Sequence, residues 1–193
     1  MQPASREIVG VLLAAGASTR FGSDKLMHPL PDGTPIAVAA VTNVLPACDR
    51  VVAVVRDDNH RLADALATTG CEIVRCLEAH KGMGHSLAAG VRATPDAAGW
   101  ILTLGDMPFI ATSSHHAVAS RLKAGASLVA TQYRERRGHP VGSSNRWYAE
   151  LSALTGDQGA RTILEQHSQQ LVLCMVEDPG VRRDIDRPVD LVP

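Results

Sequence analysis

Three stretches of the chain are apolar almost without interruption: "VGVLL" at 9–13, "VVAVV" at 51–55 and "WILTL" at 100–104. A strand with one wet face alternates apolar and polar residues. A strand with no alternation is covered on both faces. Between and after these runs lie helical patterns. They are "PIAVAAVTNVLPA" with Pro35 near its first turn, "DNHRLADALATTG" with Asp58 as N-cap and Gly70 as stop, "HSLAAGVRATP" and "TSSHHAVASRLKAG". "CEIVRC" and "ASLVATQY" add two further strands. Strand and helix alternating in this way predict an α/β fold, a doubly wound and mostly parallel sheet with helices on both faces, in three α/β/α layers. Right-handed crossovers then gather the strand C-termini along one edge, where such sheets bind ligands.

After residue 133 the pattern changes. "RRGHPVGSS" is Gly-rich and extended, and this half of the chain is expected to add a hairpin-like cover over the same site. "NRWYAELSAL" and "GARTILEQH" read as short helices, and "QQLVLCMVE" as a late strand. No linker marks a second domain in the 193 residues. The net charge is -1 and the cations are scattered, which argues against a nucleic-acid or membrane partner. "MQPASRE" begins no signal-peptide pattern, so a cytoplasmic location is expected. The four cysteines form no CxxC pair and read as buried free thiols.

The chemistry concentrates in the loops after the strands. "LLAAGASTRFGSDK" follows the first strand. Gly16 and Gly22 permit close backbone approaches, and Arg20 and Lys25 add charge, which suits a polyphosphate. The competing reading is a plain connection with surface charges. The stretch is neither a Walker A motif nor a GxGxxG dinucleotide fingerprint, which argues against an NAD enzyme. "LTLGDMP" puts Asp106 at a strand end, where its carboxylate could hold Mg2+ or cap a turn. "RRDIDRPVDL" supplies Asp184 and Asp186. Asp186 reads as a second metal ligand or as the N-cap of "PVDL", and could do both jobs. In "HKGMGHSLAAGV", Gly82 and Gly84 let the backbone pass close to something flat or bulky, and Ser86 opens the helix. His139 in "GHP" stands before a proline in an extended segment, and a lone loop histidine is more often a surface side chain than a site residue.

In order, "LLAAGASTRFGSDK", "GMGHSLAAGV", "LGDMP", "GHPVG", "GDQGAR" and "DIDRPVDL" resemble the motifs of the MobA-like NTP transferases, most of all the molybdenum cofactor cytidylyltransferases. The resemblance covers nearly the whole chain and implies one such domain over residues 1–193, with a nucleotide-diphospho-sugar transferase-like fold. It implies that Leu13, Ala14, Ala15 and Gly16 contact the nucleotide, that Arg20 and Lys25 hold the triphosphate, and that Gly84 and Ser86 lie against base or ribose. It implies Mg2+ on Asp106 and Asp186, with Arg20, Lys25 and Asp106 as the catalytic set. Gly138, His139 and Pro140 would face the acceptor. Guanylyl-transferring relatives tend to carry Gly where this chain has Ala15, so the resemblance favours CTP over GTP. The implied acceptor is a molybdopterin cofactor, with a molybdenum enzyme as a further partner. A sugar or polyol phosphate acceptor, or a non-catalytic cofactor chaperone, are the alternatives. Relatives often carry two adjacent arginines where this chain has Thr19-Arg20.

Overall fold

The computed structural model describes residues 7–16, 21 and 24–191. Seven strands form one sheet: β1 (Ile8–Ala14), β2 (Arg50–Arg56), β3 (Glu72–Cys76), β4 (Gly99–Leu104), β5 (Leu128–Tyr133), β6 (Arg136–Ser144) and β7 (Leu171–Met175). The spatial order is β3-β2-β1-β4-β6-β5-β7. The pairs β1–β2, β1–β4, β2–β3 and β5–β7 are parallel, and β6 runs antiparallel to both its neighbours.

Among the described residues six α-helices cover the sheet: α1 (Ile36–Val44), α2 (His60–Ala67), α3 (Met83–Arg92), α4 (Thr112–Lys123), α5 (Tyr148–Ser152) and α6 (Ala160–Gln166). One face packs Ile8, Leu12, Ala53, Val55 and Ile101 against α1, α2 and α4. The other packs Val9, Val11, Val52, Val54 and Leu102 against α3, α5 and α6. Neighbouring residues of one strand thus enter opposite cores. This is the physical cause of the unbroken apolar runs, since each strand position finds a dry partner. Among the described residues no helix is long and apolar enough to cross a membrane.

Two expectations change. First, within the half expected to cover the site, "RRGHPVGSS" is not part of a cover. It is β6, a central strand between β4 and β5. It looks loop-like because its neighbours supply the packing volume. A methyl built on Gly142 would sit 2.6 Å from a Val118 methyl of α4. Pro140, which has no N–H to give a ladder, lies at a break in it. Ala130 pairs with Val141 and the next residue, Thr131, pairs with Gly138, so His139 and Pro140 bulge out. Second, the N-cap of α2 is Asn59, whose side chain accepts from the Leu62 N–H at 3.1 Å, and not Asp58. Asp58 instead accepts from Arg56 Nε at 3.0 Å. Pro35 stands at the N-cap of α1, next to its first turn as expected.

Candidate active site

Three chain segments meet where β1 and β4 end. The Gly105 N–H donates to the Leu13 carbonyl (2.9 Å), and the Ile185 N–H donates to the Asp106 carbonyl (2.9 Å). The second bond brings the late segment alongside β4. Lys25, in the short turn Lys25–Met27, is only 8% exposed. Its ammonium donates to Asp106 Oδ2 at 2.8 Å and lies 3.5 Å from Asp186 Oδ1. Two carboxylates from segments far apart in sequence therefore converge on one cation. Asp190, inside the turn Pro188–Leu191, reaches back, its Oδ2 accepting from the Asp186 and Arg187 N–H groups at 3.1 and 2.8 Å.

Two convergent carboxylates suit a hard divalent cation, which takes oxygen ligands and keeps water and phosphate in its shell. Among the described residues no three His, Cys, Asp or Glu side chains group as a metal site. A cation held by Asp106 and Asp186 would thus complete its shell with water and substrate oxygens.

Lys25 and Asp106 open into a cavity of about 380 Å³, here the lysine cavity. Leu13, Ala15, Gly16 and Ser86 line it, with Arg56, His80 and Asp157 in addition. Ala14 is buried in the core beside α1 and is not part of the wall. Gly84 is not in the wall either. Its bare Cα is needed elsewhere, because a methyl there would lie 2.7 Å from the carbonyl oxygens of both Thr155 and Gln158. Its N–H donates to the Gly156 carbonyl at 2.8 Å. Gly82, with φ +122°, likewise abuts the Gly156 carbonyl carbon and oxygen, 2.3 Å from where a Cβ would be. The bulky object that these glycines admit is the loop 155–159. Arg20 lies outside the described residues.

A second cavity, of about 540 Å³, shares Leu13, Met83 and Leu104 with the first. Leu87, Leu102, Ala130, Val141 and Leu164 give it an apolar floor. Four arginines, Arg136, Arg137, Arg161 and Arg182, line it, so we call it the arginine cavity. Arg161 Nε donates to Glu165 Oε1 at 2.7 Å, and Arg137 lies 3.7 Å from the same oxygen. Gly138 and His139 belong to the wall, while Pro140 is buried beyond it, its carbonyl accepting from Thr131 Oγ1 at 3.4 Å. His139 Nδ1 is buried without a hydrogen-bond partner among the described residues. Burial pushes the His139 pKa down, against the pull of the Leu102 carbonyl and the Asp106 and Asp184 charges. The ring is therefore neutral near pH 7, with a nitrogen that a ligand could satisfy.

Arg56, which was not singled out from the sequence, ends β2 at the ligand edge, and its strand-end position is the one signal that could have found it. Asp157 and Arg161 belong to "GDQGAR", which carried the resemblance but no residue roles. Arg136 and Arg182 stand in polar stretches with no distinguishing pattern.

The geometry is that of a family. A model of the MobA-like NTP transferase domain matches residues 10–171. The purine catabolism protein PucB of Bacillus subtilis is 29% identical, over 94% of this chain and 92% of its own. Nicotine blue oxidoreductase of Paenarthrobacter nicotinovorans is also 29% identical, over 93% and 92%. Among solved structures, Rv0371c of Mycobacterium tuberculosis superposes with a TM-score of 0.82 at 28% identity, covering 97% of this chain and 96% of that one. A structure of Rv0371c in complex with manganese gives 0.78 at 27%, covering 95% of each chain. With the motifs, the sheet and the site in agreement, the chain belongs to the MobA-like NTP transferase family.

Proposed function

We propose that the protein is a Mg2+-dependent nucleotidyltransferase that moves CMP from CTP to a molybdopterin cofactor and releases pyrophosphate. The observation that carries this reading is the pair of cavities meeting at Leu13, Met83 and Leu104. A nucleotide in the lysine cavity and an acceptor in the arginine cavity would present their reacting groups to each other there. An oxygen of the acceptor phosphate attacks the α-phosphorus of CTP. The bond to the β-phosphate bridging oxygen breaks, and its electron pair leaves with pyrophosphate.

Little covalent chemistry falls to side chains, so positioning and charge carry the rate. Lys25 is poised to neutralise charge on the triphosphate, a job that Arg20, outside the described residues, would share. Asp106 and Asp186 would hold Mg2+, which would supply charge neutralisation at the phosphates when bound. The start of α3, at Gly82 and Met83, borders the lysine cavity, and a helix N-terminus favours an anion. Ser86 supplies a hydroxyl there, and Ala15 is the position at which CTP would be preferred. The apolar floor suits a fused-ring acceptor, with Gly138 and His139 against its body. A molybdenum enzyme receiving the product is the partner this reading implies.

The test is pyrophosphate release by the full chain with CTP, Mg2+ and molybdopterin. Turnover is expected with the wild type and should vanish in Asp106→Ala, with the melting transition retained. Absence of turnover with that acceptor would refute the molybdopterin assignment. Full activity in Asp106→Ala would refute the metal assignment.

A further inference from the structure

We infer that the arginine cavity takes an acceptor with two separate anionic groups, the second of them clamped by Arg136 and Arg182; this rests on the nucleotidyltransferase reading above. The argument begins with where the reacting phosphate has to be. It must reach the seam between the cavities, beside Lys25 and Asp106. Arg136 and Arg182 line the arginine cavity alone and take no part in the wall of the lysine cavity. Their charge serves something other than the reacting phosphate.

Charge balance separates the four arginines. Arg137 and Arg161 share the Glu165 carboxylate. Arg136 and Arg182 make no ion pair or side-chain hydrogen bond with any described residue. No Asp or Glu lines the cavity. Glu165 is already shared between Arg137 and Arg161, and the charges of Asp106 and Asp184 bear on His139. Two uncompensated guanidinium groups thus remain on a cavity with an apolar floor.

The backbone brings those two arginines into one neighbourhood. A methyl on Gly138 would lie 2.2 Å from the Val181 carbonyl oxygen, so the start of β6 rests directly on the turn Pro179–Arg182. Arg136 begins that strand and Arg182 ends that turn. Both residues are exposed. Planar guanidinium groups pair well with phosphate, sulfonate or carboxylate oxygens. The inferred ligand has an apolar, flat body over Leu102 and Val141, a phosphate at the seam and a second anion at the opposite end. His139 Nδ1 would meet a polar atom of the body.

The inference is tested by calorimetry on the full chain with two probes. One is 2-naphthyl phosphate. The other is the same ring system with a sulfonate on the ring remote from the phosphate. The wild type is expected to bind the doubly anionic probe about tenfold tighter in low salt, an advantage that salt should erode. In the Arg136→Gln/Arg182→Gln variant that advantage should disappear, with the affinity for the singly anionic probe changed less than about twofold. Arg182→Gln alone, a change on an exposed turn, should lose part of it and keeps the test open if the double variant melts early. Equal binding of the two probes by the wild type, or an undiminished preference in the double variant, would overturn the inference. CTP binding is measured in parallel. Its absence would count against the nucleotidyltransferase reading, whereas the probe preference, measured without nucleotide, decides the two-anion cavity independently.

Discussion

Gly84→Ala separates two roles for one residue. If Gly84 lay against base or ribose, an added methyl would weaken CTP binding and leave the fold alone. The packing points the other way. The methyl would sit 2.7 Å from two backbone carbonyl oxygens, Thr155 and Gln158. Carbon and oxygen need about 3.3 Å, so the loop 155–159 must retreat by about half an ångström. Backbone cannot swing aside as a flexible side chain can, and the 2.8 Å bond from Gly84 N–H to Gly156 would lengthen with it. Overpacking of this kind costs about 1–3 kcal/mol. For a chain of this size each kcal/mol is worth roughly 2–4 °C, so the melting temperature should fall by about 6 °C in the middle of that range. CTP affinity should drop as well, because the same loop carries Asp157 into the lysine cavity. Differential scanning calorimetry and CTP titration on the same samples read both effects. An unchanged melting temperature with weakened CTP binding would refute the packing argument.

Two further outcomes follow from side chains already placed. His115 is 1% exposed, and burial pushes its pKa from 6.5 down to about 4. The unfolded chain therefore binds a proton between those two values that the folded chain refuses, and stability falls as the pH drops from 6.5 to 4. The shift corresponds to about 3 kcal/mol. Urea unfolding of His115→Gln should show a flatter pH dependence across that window, and identical slopes for the two proteins would refute the assignment. For Lys25→Ala, CTP binding should weaken about tenfold or more and CMP binding far less. Equal losses for CTP and CMP would remove Lys25 from the triphosphate.

The parts of the fold that could be read from the sequence are those where a strand carries its own packing volume. The β1, β2 and β4 runs are continuous because both cores take side chains from them. β6 could not be placed by that signal. Its Gly142 leaves room that Val118 and Leu122 of α4 fill, so the volume belongs to another element. The same holds at the site. Lys25, Asp106 and Asp186 follow from charge at strand ends and from motif order, and the structure brings all three side chains together. Gly84 was misplaced because a glycine that admits a ligand and one that admits a neighbouring loop look alike in sequence. The arginine rim was missed because Arg136, Arg137, Arg161 and Arg182 come from three segments, and only the folded chain makes them one wall.

The place of β6 also determines how the chain could be cut. It alone hydrogen-bonds to both β4 and β5, which do not touch as strands. Removing it would not trim an edge. It would leave two open sheets, β3-β2-β1-β4 on one side and β5-β7 on the other, each with a raw edge at the former centre. The lysine cavity would stay with the larger fragment, while the arginine cavity would lose Arg136, Arg137, Gly138, His139 and Val141. Much of one wall of the arginine cavity is thus a single central strand, whose own sequence looks like the least structured stretch of the protein.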